Sequence, residues 1–448
     1  MYPEGKFWTH IRNIIIFFAL MNSLIIIRVL PTSSTFYVLI IVILLGAYLY
    51  VNVVPSSKEK LSRRLSIMRS GYTLVVDCAL VAFIEIILYV SQVLFKYLEI
   101  DKEILIINCI IAIITLFIPF VNGFIRMMFT SRNLGIINRI LIILFWWAPA
   151  INIVILRSSY KKVRYEYYLE KEKMFRNEQR RESEVCKTKY PVVLVHGIFF
   201  RDWLFINYWG RIPKELIRNG AEIYYGHQQS SNSVSKSAQE LKENIMKIIN
   251  ETGCEKVNII AHSKGGLDSR YAISCLGLSK YVASLTTINT PHRGCRYVDF
   301  LLDKIPDKFK KLVAQNYNKT FIKLGDKNPD FLGGVTDLTA EKCREFNNKV
   351  VDSEDVLYQS ITSKMKNVLS SPFPLNAGYL LAKTFDGEND GLVGVESAKW
   401  GDFLGLIETD NKGISHGDVI DLLRIDIKGY DVCECYVDIL KKLKERGF

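Results

Sequence analysis

Apolar and polar positions follow two different patterns along the 448 residues. Up to residue 156 the apolar side chains come in long runs, at 13–30, 36–54, 72–95, 104–125 and 136–156. Within hydrocarbon every backbone amide must find its partner inside its own segment, so runs of this length predict helices that cross a bilayer. Five spans are expected over 1–156. Residues 157–188 then mix charges with good helix formers, with Glu166, Glu170 and Lys173 at helical spacing, and predict a solvated helical stalk or linker. From 189 onward the apolar runs are short. Val192–Val195, Val257–Ala261 and Leu285–Ile288 read as buried strands, and 235–250 reads as a helix stopped by Gly253.

Charge sharpens this division. The net charge is +12, and residues 1–185 carry 22 Lys/Arg against 13 Asp/Glu, whereas 186–448 carry 36 against 33. The basic excess therefore sits with the apolar runs, which points to a membrane rather than to nucleic acid. Lys6 and Arg12 precede the first run. Lys58, Lys60, Arg63, Arg64 and Arg69 lie between the second and third, and Arg126, Arg132 and Arg139 after the fourth. The alternate loops hold only Lys96 and Lys102. Positive residues favour the cytoplasmic side, so five spans put the N-terminus inside and the second half of the chain outside. Arg157, Lys161, Lys162 and Arg164 argue the other way, and place that half inside if one run does not cross. Asp77 and Glu85, in the third run, are costly in a bilayer unless an interface or a neighbouring helix satisfies them. The nine cysteines are scattered without a C-x-x-C pair, which argues against a zinc site and a dense disulfide framework.

The chemistry lies in the second half. Val257-Asn-Ile-Ile-Ala-His-Ser-Lys-Gly-Gly266 is a strand running into a tight turn, and the residues from Leu267 read as a helix. This is the nucleophile-elbow pattern, which holds the hydroxyl of Ser263 clear of the backbone and needs small residues at Ala261 and Gly265. Lys189-Tyr-Pro-Val-Val-Leu-Val-His-Gly197 is a strand ending in His-Gly. In an elbow enzyme the loop after such a strand and the residue after the serine each supply a backbone N–H to the oxyanion, here Ile198 and Lys264. Of the six histidines, His227 and His416 remain once those of the membrane half, the strand-end loops and the Pro-His-Arg turn are set aside, and only His416 follows the candidate catalytic acids named below.

Val-His-Gly197, Ala-His-Ser-Lys-Gly-Gly266, Asn289-Thr-Pro-His-Arg-Gly294, Asn389-Asp-Gly-Leu-Val393 and Ser415-His-Gly-Asp418 stand in one order. In that order residues 189–448 resemble the bacterial triacylglycerol lipases. The resemblance implies an α/β-hydrolase fold, a mostly parallel central sheet flanked by helices, behind an all-α transmembrane bundle. It implies a serine carboxylic-ester hydrolase acting on lipid esters through an acyl-enzyme, with Ser263, Asp390 and His416 as triad. Asp386 is the near competitor for the acid. It also implies a lid where Val298, Leu301, Leu302, Ile305, Phe309, Leu312 and Val313 recur at helical intervals within 295–335. No cofactor is expected for the reaction. A structural calcium would take Asp418 as a ligand, but the position of its partner carboxylate falls in Leu369–Phe373, which has no acid. An acyl thioesterase, an acyltransferase, or an inactive lipid- or partner-binding protein stay open as alternatives, and Asp268 and Arg270 are expected to pair with each other.

Overall fold

The computed structural model describes residues 5–29, 33–55, 61–97, 100–145, 147–198, 208–323, 326 and 328–448, and divides into two compact units, Met1–Arg176 and Asn177–Phe448. The first is helical: α1 (Gly5–Met21), α2 (Ser23–Val29), α3 (Ser34–Val53), α4 (Arg63–Phe95), α5 (Lys102–Thr130), α6 (Gly135–Leu144) and α7 (Pro149–Gln179), the last running on into the second unit. Its surface and interior are inverted relative to a water-soluble bundle. Val38, Ile43, Phe83, Ile86, Ile113 and Phe117 are all more than half exposed, whereas Asn13, Asp77, Glu85 and Asn108 are buried. An apolar shell around a polar interior is the arrangement that lipid selects. The polar groups satisfy one another: Asn13 donates to Asp77 at 2.7 Å beside a His10–Asp77 contact, and Asn22 donates to Glu85 at 3.0 Å. Gly71 and Gly123 let α4 and α5 touch, since a methyl group on either would come within 3 Å of the other's carbonyl oxygen.

Among the described residues three helices, α3, α4 and α5, are long and apolar enough to cross a membrane, and α1 with α2 would make a fourth as a broken span bent by 69° at Asn22. Five were expected. The fifth run is cut at 145–148, ahead of Pro149, into the ten-residue α6 and the start of α7. A ten-residue helix is about 15 Å long, half of the hydrocarbon thickness, and the residue before a proline disfavours helix. The stalk is corrected as well. Val163, Glu166 and Tyr167 of α7 are fully buried. The Glu166 carboxylate accepts from Arg64 at 2.6 Å, from the Ser131 hydroxyl at 2.6 Å and from the N–H groups of Arg132 and Asn133 at 3.0 Å. It ties α7 to the start of α4 and the end of α5.

The second unit runs β1 (Val192–Val195), α8 (Ile212–Arg218), β2 (Ile223–Tyr225), α9 (Val234–Thr252), β3 (Val257–His262), α10 (Lys264–Cys275), β4 (Val282–Ile288), α11 (Arg296–Lys304), α12 (Asp307–Lys323), α13 (Phe331–Thr336), α14 (Ala340–Lys349), β5 (Leu357–Ser363), α15 (Leu375–Asp386), α16 (Val395–Ala398), β6 (Asp402–Ile407) and α17 (Val432–Glu445). All six strands are parallel, in the order β2-β1-β3-β4-β5-β6. Both faces are covered. Val192 and Leu194 of β1 pack under α8 and α17, while Val193 and Val195 turn to α9 and α10, the two-residue period of a strand buried on both sides. In such a sheet, sites form beyond the carboxyl ends of the strands, where the loops converge.

Candidate active site

Ser263 occupies the bend between β3 and α10 with φ +56° and ψ −133°, a conformation a side chain adopts only when its surroundings enforce it. The surroundings do so. A Cβ on Gly265 would sit 2.4 Å from the His196 carbonyl oxygen, and one on Gly266 would sit 2.2 Å from the Thr290 hydroxyl, so strand, turn and helix close only over glycine. The Thr290 hydroxyl donates to the Ser263 carbonyl at 2.8 Å, and Ser263 N–H donates to Ile288 at 3.0 Å.

Asp390 lies in the crossover from β5 to β6, in the loop between α15 and α16, and His416 in the loop after β6. Their side chains meet at 2.6 Å, Asp390 Oδ2 to His416 Nδ1. Both are buried. The other carboxylate oxygen accepts from Leu392 N–H at 2.9 Å and Val393 N–H at 2.7 Å, and His416 N–H donates to the Asp390 carbonyl at 2.8 Å. Asp386 ends α15 instead, where Arg296 takes its carboxylate at 3.3 Å. The His416 ring stands 4.4 Å, centre to centre, from that of His262, the residue before Ser263. Ser263 Oγ forms no hydrogen bond among the described residues, and relays of this kind commonly tighten only when substrate binds.

Ile198 and Ser263 line one cavity of about 350 Å³, with Leu302, Phe309, Val313 and Leu392 among its walls. Its far side is built by α11, α12 and α13, within the segment expected as a lid. Cys295, also in the wall, has its thiol pushed far up by burial and then by Asp386, so it stays a neutral apolar surface. Lys264 opens α10, where a first-turn N–H has no acceptor within its own helix. The Lys264 ammonium points away into the protein, to Asp268 at 2.7 Å and Ser237 at 3.0 Å. Arg270 pairs with Asp352 at 3.2 Å. The expected Asp268–Arg270 pair is therefore replaced by two others.

One contributor escaped the sequence reading. Tyr208 is buried, accepts a hydrogen bond from Gly197 N–H at 3.1 Å and contacts His262 Nδ1 at 2.6 Å, so its hydroxyl joins the loop after β1 to the elbow. The only signal was the Tyr208-Trp-Gly210 triplet downstream of His196-Gly197. His262 itself is held well below the ordinary imidazole range, by burial first and by the nearby His416 second, and stays neutral.

Calcium does not fit the residues present. The Asp418 carboxylate already accepts from Ser415 N–H at 3.0 Å, from the Ser415 hydroxyl at 2.7 Å and from the Lys412 ammonium at 3.2 Å. Among the described residues no three His, Cys, Asp or Glu side chains form a group that could hold a metal ion.

A doubly covered parallel sheet with a serine on its strand-to-helix bend and an acid–histidine pair beside it defines an α/β-hydrolase. Residues 191–327 match the profile of the palmitoyl protein thioesterase family. A triacylglycerol lipase of Vibrio cholerae is 30% identical over 287 residues, covering 58% of this chain and 89% of that enzyme. Triacylglycerol lipase 2 of Saccharomyces cerevisiae is 28% identical over 271 residues, covering 56% and 77%. Among solved structures, Staphylococcus hyicus lipase aligns at 19% identity with a TM-score of 0.46, covering 58% of this chain and 98% of the other. The chain belongs to the triacylglycerol lipase family, a family of lipid ester hydrolases.

Proposed function

We propose that the protein is a membrane-anchored serine hydrolase that cleaves carboxylic esters of lipids through an acyl-enzyme. The observation that carries this reading is the buried 2.6 Å contact between His416 and Asp390, set beside a serine that opens onto an apolar cavity. Ser263 is the nucleophile, His416 takes its proton, and Asp390 holds the tautomer and stabilises the imidazolium. The backbone N–H groups of Ile198 and Lys264 receive the negative oxygen of the tetrahedral intermediate, where each such donor is worth about 3–4 kcal/mol of barrier. Water then releases the fatty acid. A serine-reactive phosphonate should label Ser263. Labelling elsewhere, or undiminished hydrolysis by Ser263→Ala, defeats the reading.

A second reading shares the triad and changes the bond. The match of residues 191–327 to a thioesterase family favours testing an acyl thioester beside the oxygen ester. The ratio of kcat/KM on matched acyl chains separates the two.

The membrane unit supports a cytoplasmic hydrolase. With α1 and α2 as one span, followed by α3, α4 and α5, the number of crossings is even, and each basic loop falls on the cytoplasmic side. Glu166 of α7 pairs with Arg64 in the basic first turn of α4. Protease added to intact cells should spare residues beyond 180. Their digestion there would return the domain to the outer face.

A further inference from the structure

The first unit contains a cavity of about 340 Å³ outside everything used above. Arg69, Tyr72, Tyr160, Arg164, Tyr168 and His10 line it, and among the described residues no carboxylate does. The Arg69 side chain is the anomaly. It is more than nine-tenths buried and forms no hydrogen bond or ion pair with any described residue. Its neighbours show what a satisfied arginine looks like in this bundle: Arg64 holds Glu166 at 2.6 Å and Glu170 at 3.2 Å. Asp77, two turns further along α4, is already occupied by His10 and Asn13. A mostly buried arginine whose guanidinium opens on a cavity without a described carboxylate is a ready counter-charge for an anion that enters it.

The rest of the wall suits an oxyanion. The Tyr72 hydroxyl also has no hydrogen-bond partner among the described residues. The Arg164 guanidinium lies 5.6 Å from the centre of the Tyr168 ring and within 3.4 Å of the Tyr160 hydroxyl. Two planar guanidinium groups and three tyrosines on the wall of one cavity match a phosphate, which accepts from several directions at once. Depth indicates the source. Arg69 is six residues into α4, about 9 Å from its first residue, at the end of the bundle that carries Arg63, Arg132 and Arg139. Tyrosine and arginine at that level mark the headgroup region. We propose that this cavity binds the phosphate of an anionic lipid headgroup, with Arg69 as the buried counter-charge. The proposal rests on the unit lying in a membrane and is independent of the ester chemistry.

The test is the melting temperature of the full chain in neutral detergent, with phosphatidylglycerol, phosphatidylcholine or inorganic phosphate added separately. Phosphatidylglycerol should raise it by a few degrees, the scale on which a saturating ligand moves a domain, and phosphatidylcholine by less than half as much. Arg69→Met, which removes a buried charge, should fold at least as stably without lipid and lose the phosphatidylglycerol shift. Arg164→Gln, at a partly exposed position, should reduce the shift, and Arg63→Gln, on the exposed start of the same helix, should keep it. Equal shifts in the wild type and Arg69→Met, or none in the wild type, overturn the proposal. An Arg69-dependent shift with inorganic phosphate and none with the lipid overturns the lipid assignment.

Discussion

His416 Nδ1 and Asp390 Oδ2 stand 2.6 Å apart, while the other oxygen of that carboxylate is fixed by the N–H groups of Leu392 and Val393. A carboxylate gripped from both ends cannot turn, and so the imidazole it holds cannot turn either. Ser263→Ala should lower kcat by about 10⁴–10⁶-fold and Asp390→Asn by about 10⁴-fold, with KM little changed. Asp386→Asn, which only loosens Arg296 at the end of α15, should stay within a few-fold of wild type. Steady-state kinetics on a soluble short-chain ester decide this. Equal losses at 386 and 390 would refute the assignment of the acid.

Tyr208 acts through Gly197 and His262 rather than on substrate. Tyr208→Phe should cost about one hydrogen bond, roughly 1–1.5 kcal/mol or about tenfold in kcat, because the loop bearing Ile198 N–H loosens. KM and the pH profile should hold. A raised KM with an unaltered kcat would mean that the hydroxyl contacts substrate instead.

Burial holds both His262 and His292 well below the ordinary imidazole range in the folded chain. Both regain the ordinary value of about 6.5 on unfolding, so below that pH the unfolded state binds more protons. The stability of the hydrolase unit is therefore whole above pH 6.5 and falls as the pH drops below it. The slope is on the order of 1 kcal/mol per pH unit for each imidazole. Denaturant titrations between pH 8 and pH 5 measure it. A flat profile contradicts the burial of both rings.

Chelation should do nothing. Because Lys412 already neutralises Asp418, EDTA should leave both the rate and the melting temperature of the protein unchanged. A loss restored by added calcium would show that the Lys412–Asp418 contact gives way to an ion.

In the helical unit, Glu166→Ala should cost about 3–5 kcal/mol, since it strands Arg64 and two backbone N–H groups in a buried site. Glu170→Ala, which removes one partly exposed partner of the same arginine, should cost less than about 1 kcal/mol. Thermal unfolding in detergent compares them.

The sequence carried the hydrolase unit well because its signals are local. A strand ending in His-Ser-Lys-Gly-Gly has few ways to fold, and the glycines at 265 and 266 are required by contacts with His196 and Thr290. That Asp390 rather than Asp386 meets His416 was legible only by resemblance, because the two differ in what each meets in space. Tyr208 left almost no trace, since its partners lie 11 and 54 positions away. The fifth apolar run misled for a physical reason. Hydropathy sums composition over a window, and what ends α6 is a turn with a proline behind it. The stalk misled in the same way, because a charged helix looks solvated until Glu166 is found buried against Arg64.

The wall of the cavity beside Ser263 has a further consequence. Apart from Ser263 itself, Lys310, Tyr297, Cys295 and Pro291, it offers isoleucine, leucine, valine and phenylalanine, and little that can form a hydrogen bond. A hydrocarbon tail loses nothing by entering it. A tail carrying a mid-chain hydroxyl must shed its water with no replacement, at a cost of roughly 1–3 kcal/mol, and so is turned away about ten- to a hundredfold. Selection in this protein would then act on the oxidation state of the fat as much as on its length.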